Sequence, residues 1–134
     1  MKRASLVCLL GGVVTLIACG GNSNQANPCV TRGASYLVSF TLVSGNCPAL
    51  PSGIITVNQD GTIPTAAGQS CTVNMNGCTS DNNCSWSANG FNYTSASHVT
   101  FASDGSSGSG IATLNVSGNG GACVGTYNVT YTRQ

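Results

Sequence analysis

The chain has 134 residues, of which 41% are hydrophobic and only 5% charged, and its net charge is +1. Beyond residue 18 the charged side chains are Arg32, Arg133, Asp60, Asp81 and Asp104, and glutamate is absent. Two arginines cannot form the basic patch that neutralises nucleic-acid phosphates, so a nucleic-acid partner is excluded. An acidic partner or an anionic membrane surface has equally little charge to bind.

The first residues have the pattern of an export signal. Lys2 and Arg3 supply positive charge, and an apolar run of about a dozen residues follows from Leu6 to Ile17. A membrane-spanning helix needs about 20 apolar residues, and Gly11-Gly12 interrupts this run. We therefore expect a signal helix in residues 1–18 that is removed, rather than a permanent span.

The apolar run ends in Leu16-Ile17-Ala18-Cys19, which resembles the lipobox of bacterial lipoproteins. The resemblance implies that the Cys19 thiol receives a diacylglyceryl group and that cleavage makes Cys19 the first residue of the mature chain. An ordinary secretory signal cut after Ala18 is the alternative. Residues 19–28, rich in Gly and Asn, are expected to form a lipidated, flexible tether. The expected location is the bacterial cell envelope, and we expect the lipid to be inserted in the outer membrane.

Cysteine usage agrees with export. Cys8 lies in the signal and Cys19 is assigned to the lipid. Six cysteines remain in the expected domain, which spans 29–134: Cys29, Cys47, Cys71, Cys78, Cys84 and Cys123. An even number in an oxidising compartment predicts three disulfides. A zinc site is the alternative, but there is no CxxC spacing and His98 is the one histidine, so we expect no metal.

Alternating apolar and polar residues predict an all-β domain of about eight short strands, a small antiparallel β-barrel or β-sandwich. The predicted strands are 34–43, 54–58, a short return strand 62–63, 71–76, 84–88, 91–94, 97–102, 111–116 and 123–132. Asp60-Gly61 and Asn89-Gly90 predict hairpin turns, and the second turn places Trp86 opposite Tyr93. The polar segment 78–83 is predicted to be turn-like.

The first and last strands share an aromatic-x-Val-x-aromatic-Thr pattern, at 36–41 and 127–132. We expect these two strands to pair in antiparallel fashion and to close the sheet, which would remove two exposed edges. Closure brings the end of the first strand beside the start of the last, and so predicts a Cys47–Cys123 disulfide. A Cys78–Cys84 disulfide is then expected to brace the polar loop, and Cys29–Cys71 is the remaining pair.

Residues suited to catalysis are scarce, and we expect no enzyme. Asp60 and Asp104 both precede glycine, where a turn explains them. His98 falls in the middle of a predicted strand, and no GxSxG motif supplies a nucleophile. His98 is therefore expected to face solvent or to bond a neighbouring hydroxyl. Calcium binding by Asp81 or Asp104 is a weaker alternative, because each loop offers a single carboxylate, and we expect no cofactor.

Binding is the remaining class of function. Trp86, Phe91 and Tyr93 lie on one predicted hairpin among Asn and Ser, a combination that suits stacking on a sugar. Core packing is the alternative for these rings, and the burial of Trp86 distinguishes the two. We expect a lipid-anchored envelope protein acting as a non-enzymatic binding or structural module. Recognition of a glycan or of another envelope or extracellular protein is the alternative, and a hydrolase is a distant third. A closed barrel would also suit an apolar ligand.

Overall fold

In the computed structural model, which describes residues 29–58, 67–118 and 120–134, the chain forms seven β-strands and no helix. These are β1 (Ser35–Gly45), β2 (Gly53–Thr56), β3 (Ser70–Asn76), β4 (Thr79–Ala88), β5 (Phe91–Phe101), β6 (Ser107–Gly118) and β7 (Gly121–Arg133). The predicted all-β, disulfide-braced class is confirmed. The described residues include no helix long and apolar enough to cross a membrane. The predicted signal, Cys19, the tether, the Asp60-Gly61 turn and the 62–63 strand lie outside the described residues.

The seven strands form one antiparallel sheet in the order β2-β1-β7-β6-β5-β4-β3. The predicted antiparallel pairing of the first and last strands is confirmed, and it runs from Tyr36 opposite Arg133 to Gly45 opposite Gly125. This pairing does not close the sheet, because β2 adds to the outer side of β1 and β3 ends the other side. The expected closure is therefore wrong, and the sheet is a curled half-barrel with β2 and β3 at its edges.

The hairpin between β4 and β5 forms as predicted. Asn89 and Gly90 both have positive φ, at 52° and 78°, as a two-residue turn matched to strand twist requires. The resulting register places Trp86 opposite Tyr93. The two predicted strands 91–94 and 97–102 are one continuous strand, β5, because no turn residue separates them.

The prediction of a turn-like segment over 78–83 is wrong from Thr79 onward, because β4 begins there. Asn76 pairs with Thr79, so the chain turns at Gly77 and Cys78 and continues directly into β4. The first half of β4 is then bonded on both sides, to β3 and to β5. Two ladders of backbone hydrogen bonds outweigh the low strand propensity of Asp and Asn.

Because the turn lies at Gly77 and Cys78 rather than over 78–83, two of the three disulfides differ from the predicted pairs. Cys47–Cys123 is present as predicted, with 5.0 Å between the Cα atoms. The predicted Cys78–Cys84 and Cys29–Cys71 pairs are wrong, since the structure contains Cys71–Cys84 and Cys29–Cys78. The antiparallel register sets Cys71 directly opposite Cys84, whereas Cys78 lies at the turn and reaches Cys29 at the start of the domain.

The hydrophobic core fills one end of the half-barrel. Its buried members are Cys29, Val30, Tyr36, Val38, Val57, Val99, Phe101 and Val129. Tyr36 is fully buried, and its hydroxyl donates to the Gly105 carbonyl at 2.7 Å and accepts from the Thr31 N–H at 3.1 Å. The core thus joins the start of the domain to the loop between β5 and β6.

Candidate ligand-binding groove

The concave face of the half-barrel forms a groove of two adjoining cavities. The edge cavity, of about 410 Å³, lies between the two edge strands and is lined mainly by Val38, Phe40, Ile55, Cys71, Val73, Asn82, Cys84, Ser97 and Tyr131. The Trp cavity, of about 280 Å³, continues from it and adds Leu50, Trp86, Ser95, Ala112, Leu114, Tyr127 and Val129. Phe40, Ser97 and Tyr131 line both. The groove therefore extends across all seven strands.

Alternation along each strand explains why these side chains share one face. Residues two apart point to the same side of a sheet, so Phe40 follows Val38 on β1, and Tyr131 follows Val129 on β7. In antiparallel pairing, Phe40 lies opposite Val129 and Val38 lies opposite Tyr131. The apolar alternation in the sequence indicates this face, but the open groove results from the curl of the sheet and from its unclosed edges.

The lining of the groove is uncharged. Among the described residues around the two cavities there is no Asp, Arg, Lys or Glu. Burial raises the pKa of the Tyr131 phenol, so its hydroxyl stays protonated at neutral pH. Cavities of this size, mostly apolar and with few polar groups, are typical of small-molecule sites.

Two side-chain hydrogen bonds link three polar residues, Ser80, Asn82 and Ser97, at the floor of the edge cavity. The Asn82 side-chain amide donates to the Ser97 hydroxyl at 3.2 Å, and the fully buried Ser80 hydroxyl donates to the Asn82 carbonyl oxygen at 3.4 Å. These bonds orient the amide within an otherwise apolar surface. Asn82 and Ser97 can therefore fix the orientation of a ligand by hydrogen bonding.

The three aromatic residues expected to stack on a ligand have different surroundings. Trp86 and Tyr93 stack on each other, with ring centroids 4.9 Å apart and planes 4° from parallel. Both are partly buried, and Trp86 lines the Trp cavity. Phe91 packs on the neighbouring turn, where a Cβ atom on Gly118 or Gly120 would come within 2.6 or 2.9 Å of its ring. The indole is thus neither fully exposed nor fully covered, because Tyr93 covers one face and the groove borders the rest.

The convex face carries a hydrogen-bonded pair of side chains, His98 and Asp81. His98 Nδ1 lies 2.5 Å from Asp81 Oδ1, and both side chains are largely exposed. His98 faces solvent, which is one of the two expected alternatives, and its ring bonds a carboxylate rather than a hydroxyl, because the β4–β5 register sets Asp81 directly opposite it. In the described part of the chain no hydroxyl bonds the His98 ring. Asp104 accepts from the Ser106 N–H at 2.9 Å in the β5–β6 loop, a bond that lowers the Asp104 pKa.

A second depression, of about 360 Å³, lies on the convex face and is wide open. Its side chains are short and polar, and they come from four neighbouring strands: Ser70, Thr72, Asn83, Ser85, Thr94 and Asn115, with Ala96 between them. Sequence reasoning missed this cluster, because its members are far apart along the chain. Cross-strand register alone brings Thr72 opposite Asn83, and Thr94 opposite both Ser85 and Asn115.

The described side chains that line the groove and the convex depression are uncharged. Within the described ranges no cluster of three or more His, Cys, Asp or Glu side chains is placed to hold a metal ion. The groove supplies apolar contact and a few hydrogen bonds, and the convex depression supplies hydroxyl and amide groups. No protein-family model matches this chain, and comparisons with curated proteins and with solved structures find no match either.

Proposed function

We propose that this protein is a lipid-anchored component of the bacterial cell envelope that acts as a non-enzymatic binding module, with the concave groove as its ligand site. The observation that carries the proposal is the groove itself, an open and uncharged cavity lined by aromatic and aliphatic side chains. The anchor rests on the lipobox resemblance at Cys19. The tether of residues 19–28 would then hold the groove outside the bilayer.

The lining favours a neutral ligand with an extended apolar part, such as an acyl chain. A charged group entering the groove would lose its hydration without meeting an opposite charge, which costs several kcal/mol. The edge cavity and the Trp cavity adjoin, so an elongated molecule contacts both. Asn82 and Ser97 would bond the polar end of the ligand on the floor of the edge cavity.

Trp86 provides a direct test, because it is the one tryptophan in the chain and lines the groove. The Cys19→Ala protein, exported by an ordinary secretory signal, is titrated with a neutral monoacylglycerol brominated on its acyl chain. Bromine quenches indole fluorescence on contact, so saturable quenching is expected. Unbrominated monoacylglycerol should compete for the site, and quenching that is absent or never saturates would contradict the proposal.

Two alanine positions give matched variants for this experiment. Ala112 lines the Trp cavity from β6, whereas Ala96 is exposed on the convex face of β5. Ala112→Phe should fill the cavity and weaken the affinity measured by quenching about tenfold or more. A tenfold loss of affinity corresponds to about 1.4 kcal/mol of binding free energy. Ala96→Phe should leave acyl binding unchanged. Equal effects of the two variants would argue against the groove.

The convex depression supports a second candidate, recognition of a neutral glycan. Six uncharged side chains with hydrogen-bonding groups converge there, and no side-chain hydrogen bond engages them in the described structure. Such groups suit sugar hydroxyls, although this depression offers no aromatic ring for stacking. A screen against neutral oligosaccharides tests the idea, with Ala96→Phe expected to abolish binding and Ala112→Phe to preserve it.

A further inference from the structure

The Cys71–Cys84 disulfide occupies an unusual place in the half-barrel. It joins two residues directly opposite each other on β3 and β4, with 4.1 Å between their Cα atoms. Both cysteines line the edge cavity of the groove. A molecule that enters the groove therefore meets a disulfide in its wall.

The three disulfides differ in accessibility. Cys71 and Cys84 are both only partly buried. Each of the other bonds has one cysteine embedded in the protein, Cys29 at 6% exposure and Cys47 at 4%. Exchange requires an attacking thiolate to reach a sulfur atom, so exposed disulfides are the labile ones. Cys71–Cys84 is therefore the one described disulfide in which both cysteines are partly exposed, whereas the other two each have one partly exposed cysteine, Cys78 or Cys123.

The fold also depends least on this bond. Cys71 and Cys84 are 13 residues apart in sequence, whereas the other two pairs are 49 and 76 residues apart. A disulfide that closes a short loop removes less entropy from the unfolded chain than one that closes a long loop. The antiparallel ladder between β3 and β4 also holds the two strands together on either side of the bond. Opening this disulfide should leave the half-barrel folded.

We propose that Cys71–Cys84 is a thiol-exchange site within the groove, and that its substrates are small thiols of low molecular mass. A thiolate attacks one of the two sulfurs and forms a mixed disulfide. The Cys71–Cys84 bond breaks, and its electron pair passes to the departing sulfur, which takes a proton from water. A second thiol molecule then attacks the mixed disulfide, which releases the oxidised small disulfide and leaves two cysteine thiols. In total, two small thiols are oxidised and one protein disulfide is reduced.

The mixed disulfide places the small molecule inside the edge cavity. Val73 and Ile55 border this space from the two edge strands, and Asn82 lies on its floor. The edge cavity, of about 410 Å³, thus leaves room for the small molecule of a covalent adduct. This property goes beyond the proposed binding of a neutral ligand and does not depend on it.

The test is graded exposure of the purified full-length protein to reduced glutathione, followed by trapping with N-ethylmaleimide and peptide mass mapping. The expected result is labelling or glutathione addition at Cys71 and Cys84 at a rate at least about tenfold above that of the other four disulfide-bonded cysteines. Circular dichroism at that stage should retain the β signal. Simultaneous labelling of all six disulfide-bonded cysteines, or earlier labelling of Cys47 and Cys123, would overturn the proposal.

Two variants make the assignment specific. Cys71→Ser with Cys84→Ser should eliminate the early labelling and leave the remaining four cysteines protected. Cys29→Ser with Cys78→Ser should preserve the early labelling at Cys71 and Cys84. Early labelling that persists in the first variant contradicts the assignment. If either variant fails to fold, the order of labelling in the unmodified protein still decides the question.

Discussion

Trp86 and Tyr93 lie directly opposite each other on β4 and β5, and their rings stack in parallel at a centroid distance of 4.9 Å. The Asn89-Gly90 turn sets this register, so the stack follows from a local feature of the hairpin. Tyr93 covers one face of the indole, and the rest of the Trp86 ring borders the groove. The aromatic pair therefore contributes both to the stability of the hairpin and to the wall of the proposed binding site.

We expect Tyr93→Ala to destabilise the fold by about 1–2 kcal/mol, because the partly buried ring loses both its buried area and the stack. The newly exposed indole should also shift the emission of Trp86 to longer wavelength. Urea unfolding followed by fluorescence measures both effects. Thr94→Ser on the outer face of the same strand serves as the control, because Thr94 is exposed, and should change stability by less than about 0.5 kcal/mol. An unchanged emission spectrum in Tyr93→Ala would contradict the role of the stack.

The buried hydroxyl of Tyr36 makes two hydrogen bonds that join the start of the domain to the β5–β6 loop. Tyr36→Phe leaves the Gly105 carbonyl and the Thr31 N–H without this partner, so we expect a loss of about 1–3 kcal/mol in the free energy of unfolding. Tyr131→Phe is the matched control, since the Tyr131 hydroxyl makes no hydrogen bond within the described structure. Chemical denaturation of both variants checks the difference, and equal losses would refute the prediction.

The strand pattern and the pairing of β1 with β7 were predictable, because alternation and the Asn89-Gly90 turn are local signals. The Cys71–Cys84 pair was not predictable by the same reasoning. The first half of β4 contains the polar run from Ser80 to Asn83, which has no strand pattern in the sequence. Its strand conformation depends on hydrogen-bonded ladders with both neighbouring strands. Once the turn is placed at Gly77 and Cys78, two of the three disulfides follow directly.

The groove was only partly predictable. The alternating residues of β1 and β7 indicate which face is apolar, but not whether the interior is filled. The open cavity depends on the curl of the sheet and on the position of β2 and β3 at its edges. Both are properties of long-range pairing. The polar depression around Asn83 and Asn115 has the same origin, because its residues are spread over four strands.

Alkaline pH should destabilise the protein through Tyr131. Burial raises the pKa of this phenol above its ordinary value of 10.0 in the folded state. At a pH above 10 the unfolded chain therefore releases this proton more readily than the folded protein, and stability falls as pH rises. The contribution is fully present below the unfolded pKa and decreases through the interval up to the folded pKa. Unfolding free energies measured from pH 8 to 11 should decline less steeply in Tyr131→Phe, and identical slopes would contradict this prediction.

The pairing of cysteines bears on the proposed anchor. The six cysteines of the described domain form three disulfides with one another, so the folded domain offers Cys19 no partner thiol. We expect cells supplied with radioactive palmitate to label the protein. Cys19→Ala should abolish the label, because the diacylglyceryl group is attached to the Cys19 thiol. Cys47→Ser with Cys123→Ser is the control, since it removes two cysteines of the domain but should retain the label. Equal labelling of the Cys19→Ala and unmodified proteins would refute the anchor and leave a secreted domain with the same groove.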